Sequence, residues 1–295
     1  MSGAGPRVSI GMPVYNGERF IREALDSIVQ QTFRDWELII SDNASSDGTA
    51  EICREYMKRD DRIRYHRNER NVGLARNFDR TVELSSGEYF KLANADDTSG
   101  PTLIDMCVEV LDRHPEVVLC YGRTTLIDEA GRPFGLFEDR LDLRQPRAVD
   151  RFRLAMARTR LINILQGVIR RDALRCTGLL GAYMGSDMVL VAELALYGQF
   201  YELPEQLFFR RMHKEAFSSL TVARQRAFVD PDAQGRWYFY VWRHHGELLR
   251  AVWRARLPVS EKAALTCALL RRGVMARGEL VRELVQGLGV FRDGR

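Results

Sequence analysis

Glu88-Tyr89-Phe90-Lys91-Leu92-Ala93-Asn94-Ala95-Asp96-Asp97-Thr98 is the stretch on which the reading of this chain turns. Tyr89 to Ala93 is a short, mostly apolar run with Gly87 before it and polar residues after it, the pattern of a buried strand. It delivers two adjacent carboxylates, Asp96 and Asp97, just ahead of the breakers Gly100 and Pro101. In open α/β sheets, ligands gather outside the carboxyl ends of the strands, near the point where strand order reverses. Two acids at such an edge suit a hard divalent cation, which takes oxygen ligands and shares them with substrate phosphates. The plainer alternative is that Asp96 and Asp97 only cap a helix starting near Pro101.

Upstream, the same rhythm repeats. Val8 to Met12 is β-rich and stops at Pro13, which cannot continue a central strand. From Glu18 onward, apolar residues at 20, 21, 24, 25, 28 and 29 give the period of a helix packed on a sheet. Trp36 to Ile40 reads as the second strand and leads through an Asn/Ser/Asp-rich loop into a helix over about 49–58. A third strand, Ile63 to His66, and a helix from Asn71 to about Leu84 precede the central strand. A fifth unit follows, with a helix over 102–113 and a strand from Val117 to Tyr121. Such alternation implies right-handed βαβ units and a mostly parallel sheet. Beyond it the pattern loosens: a helix near 148–158, strands near 166–169, 199–202 and 207–211, and a helix from Asp187 to Leu196. From Ala223 the chain reads as helical, broken at Pro231 and Pro258.

Composition narrows the classes. The chain has 295 residues, 45% hydrophobic and 28% charged, ordinary for a globular protein that buries a core. Five scattered cysteines without a Cys-x-x-Cys pair argue against a disulfide framework or zinc site. The first residues lack the apolar core of a leader peptide, and no run approaches the length of a membrane span, so the expected location is cytoplasmic. Residues 224–295 carry 14 Lys/Arg against 7 Asp/Glu, whereas residues 1–223 carry 30 against 33. A basic tail of this kind suits peripheral contact with the inner face of a membrane, or it is a solvated set of helix faces. No Gly-x-Gly-x-x-Gly follows the first strand and there is no Gly-x-x-x-x-Gly-Lys, so dinucleotide and P-loop readings lack their fingerprints. No nucleic-acid partner is expected.

Four segments in order, Val8–Gly17, Gln30–Thr49, Asn71–Asn77 and Gly87–Asp97, closely resemble the family 2 inverting glycosyltransferases. The resemblance is continuous over about the first 130 residues and returns around 185–219. It implies a single Rossmann-like domain of the glycosyltransferase A type, α/β with a mostly parallel central sheet, plus a C-terminal helical extension. The expected division is a catalytic domain over 1–222 (donor half 1–130, acceptor half 131–222) and an extension over 223–295.

The resemblance also implies roles. Pro13, Tyr15 and Glu18 would line the nucleoside pocket, Asp42 would hydrogen-bond the base edge, and Arg76 would lie near the base or phosphates. Asn94, Ala95 and Asp96 stand at the family's Asp-x-Asp motif, with Asp96 as the metal-binding acid. Asn94 replaces the motif's first carboxylate; an amide bonds a ribose hydroxyl but is a poorer cation ligand. Asp187 matches the acid that takes the acceptor proton, and His213 matches a histidine that reaches the metal or diphosphate. The plain alternative for Asp187 is an N-cap. The implied activity is transfer of a sugar from a nucleoside-diphosphate sugar, a UDP-sugar first among the candidates, to a hydroxyl of a glycan or glycolipid in a bacterial pathway, assisted by Mg²⁺ or Mn²⁺. The competing reading is a non-catalytic nucleotide-sugar-binding protein or partner subunit on the same fold, for which Asn94 is the only support. Trp237-Tyr238-Phe239-Tyr240-Val241-Trp242 suits a helix packing its aromatic face on the core, an acceptor-site lining or a membrane interface. Residues 259–287 read as an amphipathic basic helix that meets a membrane, the core or a second copy of the chain.

Overall fold

The computed structural model describes residues 5–233, 239–275 and 277–290. Four strands, β1 (Val8–Val14), β2 (Trp36–Asp42), β3 (Ile63–Arg67) and β4 (Tyr89–Leu92), alternate with α1 (Ile21–Val29), α2 (Thr49–Arg59) and α3 (Leu74–Glu83). They lie parallel in the order β3-β2-β1-β4. Strand order therefore reverses at β1, and the crevice of such sheets opens beyond the carboxyl ends of β1 and β4.

Pro13 does not end β1, contrary to the sequence expectation. The Gly11 carbonyl accepts the Ala93 N–H on the β4 side, and alternate residues point the same way. The N–H that Pro13 lacks would thus face the side where β4 pairing has already stopped at Leu92, and no ladder bond is lost.

The second part of the chain completes the sheet. β5 (Thr98–Ser99), α4 (Leu103–Arg113), β6 (Val117–Ile127), β7 (Pro133–Phe137), α5 (Ala148–Arg158), β8 (Val168–Arg170), α6 (Arg171–Arg175), α7 (Ser186–Tyr197) and β9 (Gln199–Arg211) follow in order. The nine-stranded sheet continues β4-β8-β6-β9-β5, with β7 beside β6; β8 is antiparallel to both neighbours, and β6 and β9 are parallel. The two strands expected over 199–202 and 207–211 are one. Pro204 and Glu205 fall where the register against β6 slips, so a bulge absorbs the proline that had looked like a break.

Each sheet face has its own core. Ile21, Leu25 and Ile28 of α1 pack with Ile52 of α2 and Leu103 and Leu111 of α4 on one face. On the other, Phe78 of α3, Phe152 of α5 and Leu190, Val191 and Leu194 of α7 share a core with C-terminal helices. The C-terminal helices are α8 (Val222–Val229), α9 (Tyr240–Arg254), α10 (Val259–Met275) and α11 (Arg277–Val290). Leu248, Ala251 and Val252 of α9 and Leu265 and Leu269 of α10 are buried in that same core. Of the aromatic run, Trp237 and Tyr238 lie outside the described residues. No described helix is long and apolar enough to cross a membrane.

Candidate active site

The turn after β4 sends its two carboxylates in opposite directions. Asp97 points inward. Its Oδ2 accepts the Asn94 Nδ2 at 2.8 Å and its Oδ1 accepts the Arg211 backbone N–H at 2.8 Å. Burial pushes the Asp97 carboxyl up to about 7, and the neighbouring Asp96 charge acts in the same direction. Lys91, itself fully buried in β4, is pushed down to about 8 by that burial, against the opposing pull of Cys107 and Asp97. Asp96 stays partly exposed, and its Oδ2 stands 3.1 Å from Nε2 of the nearly buried His213. Neither acid caps α4: that helix begins at Leu103, with β5 in between.

His213 reaches Asp96 because β9 carries it there. Met212 N–H extends the β6 ladder by bonding the Ile127 carbonyl, and the His213 ring packs against Phe20 with centroids 4.8 Å apart. The preceding residue anchors the corner. The Arg211 side chain is completely buried, ion-paired with Glu23, and donates to the carbonyls of Asp96 and Glu129 at 3.0 and 2.9 Å. Its guanidinium lies 4.7 Å from the Phe20 ring centroid. Arg211 is thus a framework residue, holding the acid turn against β9 and α1.

Arg210 faces the other way. Its Nη1 donates to Asn163 Oδ1 at 2.6 Å, and its charge favours the ionised forms of Asp97, Asp139 and Asp187 alike. Asp187 stands in the first turn of α7. The N-cap is Gly185, whose φ of 77° is a left-handed conformation that favours glycine, and a Cβ there would stand 3.1 Å from the Tyr240 hydroxyl. Asp187 Oδ1 accepts the Met188 N–H at 2.8 Å. Burial raises the Asp187 carboxyl above its usual range, against the opposing pull of that N–H and Arg210. Tyr240, from α9, senses the Asp187 charge, which together with burial raises its own phenol.

The residues expected around the nucleoside divide into two groups. Pro13 and Tyr15 line an open cleft with Asn43, Asn71, Leu74 and Phe228. Asp42 and Glu18 instead organise the loop after β2. Asp42 is fully buried, accepting Ser45 N–H, Tyr65 O–H and Arg67 at 2.8, 2.6 and 2.9 Å. Glu18 accepts the Gly48 N–H at 2.9 Å, at the start of α2. Ala95 packs on Gly17, and Arg76, largely exposed, faces Asp232 at 3.7 Å. Lys91 and Phe228 are not picked out by the sequence as parts of this region, whereas Tyr240 belongs to the aromatic run for which an acceptor-site lining is one reading, and Arg211, with Arg210 a candidate phosphate clamp from sequence, is framework instead. Only Lys91 carried a local signal, a lysine inside an otherwise apolar strand.

Among the described residues, one pair at the acid turn could hold a divalent cation. Asp96 Oδ2 and His213 Nε2 are an oxygen and a nitrogen donor side by side on a partly open edge. No cluster of three or more His, Cys, Asp or Glu side chains suited to a metal occurs among the described residues, so phosphate oxygens and water would have to complete the shell.

This arrangement of parallel βα units, with acids on the carboxyl edge and helices on both faces, is the glycosyltransferase A-type fold. It superimposes on Staphylococcus aureus TarS 1–349 in complex with UDP-GlcNAc with a TM-score of 0.65, at 17% identity, over 90% of this chain and 72% of that one. The mannosyltransferase PcManGT from Pyrobaculum calidifontis, in complex with GDP-Man and Mn²⁺, gives 0.51 at 16% identity over 97% and 88%. EpsE of Bacillus subtilis is 34% identical over 129 residues, 43% of this chain and 46% of EpsE. The chain spans about half the length of the first curated relatives it matches. The profile of Glycosyl transferase family 2 matches residues 9–154, and this part of the chain belongs to that family.

Proposed function

We propose that this chain is an inverting glycosyltransferase that moves a sugar from a nucleoside-diphosphate sugar to an acceptor hydroxyl. The observation that carries the reading is the acid–imidazole pair Asp96 and His213 at the carboxyl edge of the sheet, with the charge of Arg210, at the end of β9, acting on Asp97 and on the partly buried acid Asp187. In this reading residues 1–222 form the catalytic unit and 223–295 an extension that braces α7. Asp187 takes the proton of the acceptor hydroxyl as its oxygen attacks the anomeric carbon, on the face opposite the departing diphosphate. Its raised proton affinity makes it a stronger base than a solvent-exposed carboxylate. Asp96 and His213 would hold Mg²⁺ or Mn²⁺, which when bound neutralises charge on the leaving diphosphate. Arg210 supplies fixed positive charge between the two stations. Pro13 and Tyr15 bound the nucleoside cleft, Asp42 and Glu18 support it through the β2 loop, and Asn94 and Ala95 shape the turn that presents Asp96, with Arg76 at its rim.

A UDP-sugar is the favoured donor, supported by the UDP-GlcNAc complex of TarS; a GDP-sugar is the alternative that the PcManGT complex supports. A bacterial surface glycan or glycolipid is the proposed acceptor. Exposed Leu270 and Val274 of α10 and Val281 and Val285 of α11 support peripheral contact with a membrane or a second copy of the chain. Calorimetry with UDP, GDP, dTDP and CDP, with and without Mn²⁺, followed by donor-hydrolysis assays, tests the reading. One nucleotide bound more tightly with metal, and donor turnover lost in Asp187→Asn, is the expected result. Binding without turnover would favour the non-catalytic alternative, and no nucleotide binding would overturn both.

A further inference from the structure

The cleft beyond β1 has one wall that the βα framework does not supply. Pro13 and Tyr15 come from the end of β1, Asn43 from the end of β2, and Asn71 and Leu74 from the start of α3, but Phe228 comes from α8, more than 200 residues after Tyr15. Two aromatic rings and the carboxamides of Asn43 and Asn71 lining one cleft are the chemistry that holds a planar, hydrogen-bonding heterocycle.

The carboxamides are fixed in orientation. Asn43 Nδ2 donates to Asn71 Oδ1 at 2.8 Å, while Asn43 Oδ1 accepts Asn68 Nδ2 and the Val72 N–H at 3.1 and 2.9 Å. Asn71 Oδ1 also accepts the Gly73 N–H at 2.9 Å. The Asn71 oxygen is therefore occupied, and its NH₂ remains a donor suited to a carbonyl on a base edge.

The position of α8 is equally specific. Val229, next to Phe228, is buried, and its carbonyl would lie 2.5 Å from a Cβ placed on Gly73, with Pro231 Cδ at 2.9 Å. Gly73 has φ 85°, so glycine serves both the left-handed backbone and the close approach of the strap. Phe228 also meets Phe217 with ring centroids 5.7 Å apart. Beyond it, Asp232 faces Arg70 at 3.2 Å and Arg76 at 3.7 Å, and all three side chains are more than half exposed. Exposed pairs of this kind hold weakly. The seating of α8 therefore rests on Val229 and Gly73, and phosphate oxygens can take over the two arginines without unseating it.

We propose that Phe228 is the second aromatic wall of a nucleobase pocket whose first wall is Tyr15, so that the C-terminal extension contributes a donor-binding residue. This rests on the nucleotide-sugar reading above. Stacking on Phe228 contributes affinity for any base, whereas the Asn71 and Asn43 amides contribute selectivity between bases.

The test uses the full chain with Mn²⁺ and titrates UDP, GDP, dTDP and inorganic pyrophosphate into wild type, Phe228→Ala and Phe228→Trp. Phe228→Ala is expected to raise the nucleotide Kd about tenfold, the scale of one base–aromatic stack, and to leave pyrophosphate binding unchanged. Phe228→Trp keeps nucleotide affinity, and the added tryptophan fluorescence is quenched by nucleotide but not by pyrophosphate. An unchanged nucleotide Kd in Phe228→Ala overturns the proposal while leaving the donor reading intact. Equal losses for nucleotide and pyrophosphate overturn it as well, since they mark a general disturbance of the fold. A wild type that binds none of the nucleotides removes the donor reading and this inference together.

Discussion

Asp97 and Asp187 are under the same pressure and answer it differently. Burial raises the proton affinity of both. Asp97 meets that pressure with partners, a side-chain amide and a backbone N–H from two different elements, and becomes part of the framework behind Asp96. Asp187 has the N–H groups of Met188 and of its own residue in the first turn of its helix, a nearby phenol on α9 and the distant field of Arg210. A buried acid whose lone pairs are engaged on both oxygens holds structure together; one with lone pairs to spare is available to a substrate proton.

Four measurements sharpen or break that contrast. Asp187→Asn should lower sugar transfer by about 10³-fold, the scale of a lost general base, while nucleotide affinity measured by calorimetry stays at the wild-type value. Near-normal transfer would move the base role elsewhere. Asp96→Asn should abolish the tightening of nucleotide binding by Mn²⁺ and slow transfer by on the order of 10²-fold; a titration that still responds to Mn²⁺ would remove Asp96 from the metal. The pH profile of transfer should fall about tenfold per unit on its acid side. Because a base must be ionised and burial raises Asp187, that limb should lie above the ordinary carboxylate value of 3.8. A limb at or below 3.8 would contradict the burial argument.

The smallest effect concerns Asp97. Its native value near 7 exceeds the ordinary 3.8, so between those values the folded state binds more protons than the unfolded state and stability falls as pH rises. Asp97→Asn lacks that slope. Relative to wild type, the variant should therefore gain stability steadily as pH rises from 4 to 8 in urea melts. A constant difference across that range would mean that Asp97 titrates normally.

The first hundred residues were readable because their signals are local. β1, β2, β3 and β4 were expected within two residues of where they lie, since each is a short apolar run closed by a polar loop. Errors came where neighbours decide: Pro13 is tolerated because β4 ends early, and Pro204 because β9 bulges against β6. For the site, Asp96 and His213 were named and do meet, across 117 residues. The partners of the buried Asp42 and the Asp232 partner of Arg76 were invisible, because nothing near those residues in sequence announces them.

Sequence alone determined the alternation of strand and helix, the polar character of each strand end, and the residue types available for a phosphorylated sugar donor. These follow from side-chain periodicity and turn chemistry, which act over a few residues. Tertiary structure alone decided which carboxylate turns inward, which arginine becomes framework and which stays near the acids, and that Phe228 closes the cleft of Tyr15. Those outcomes depend on β9 lying beside β6 and on α8 seating against Gly73, contacts between segments more than 80 and 150 residues apart whose energies no local pattern contains.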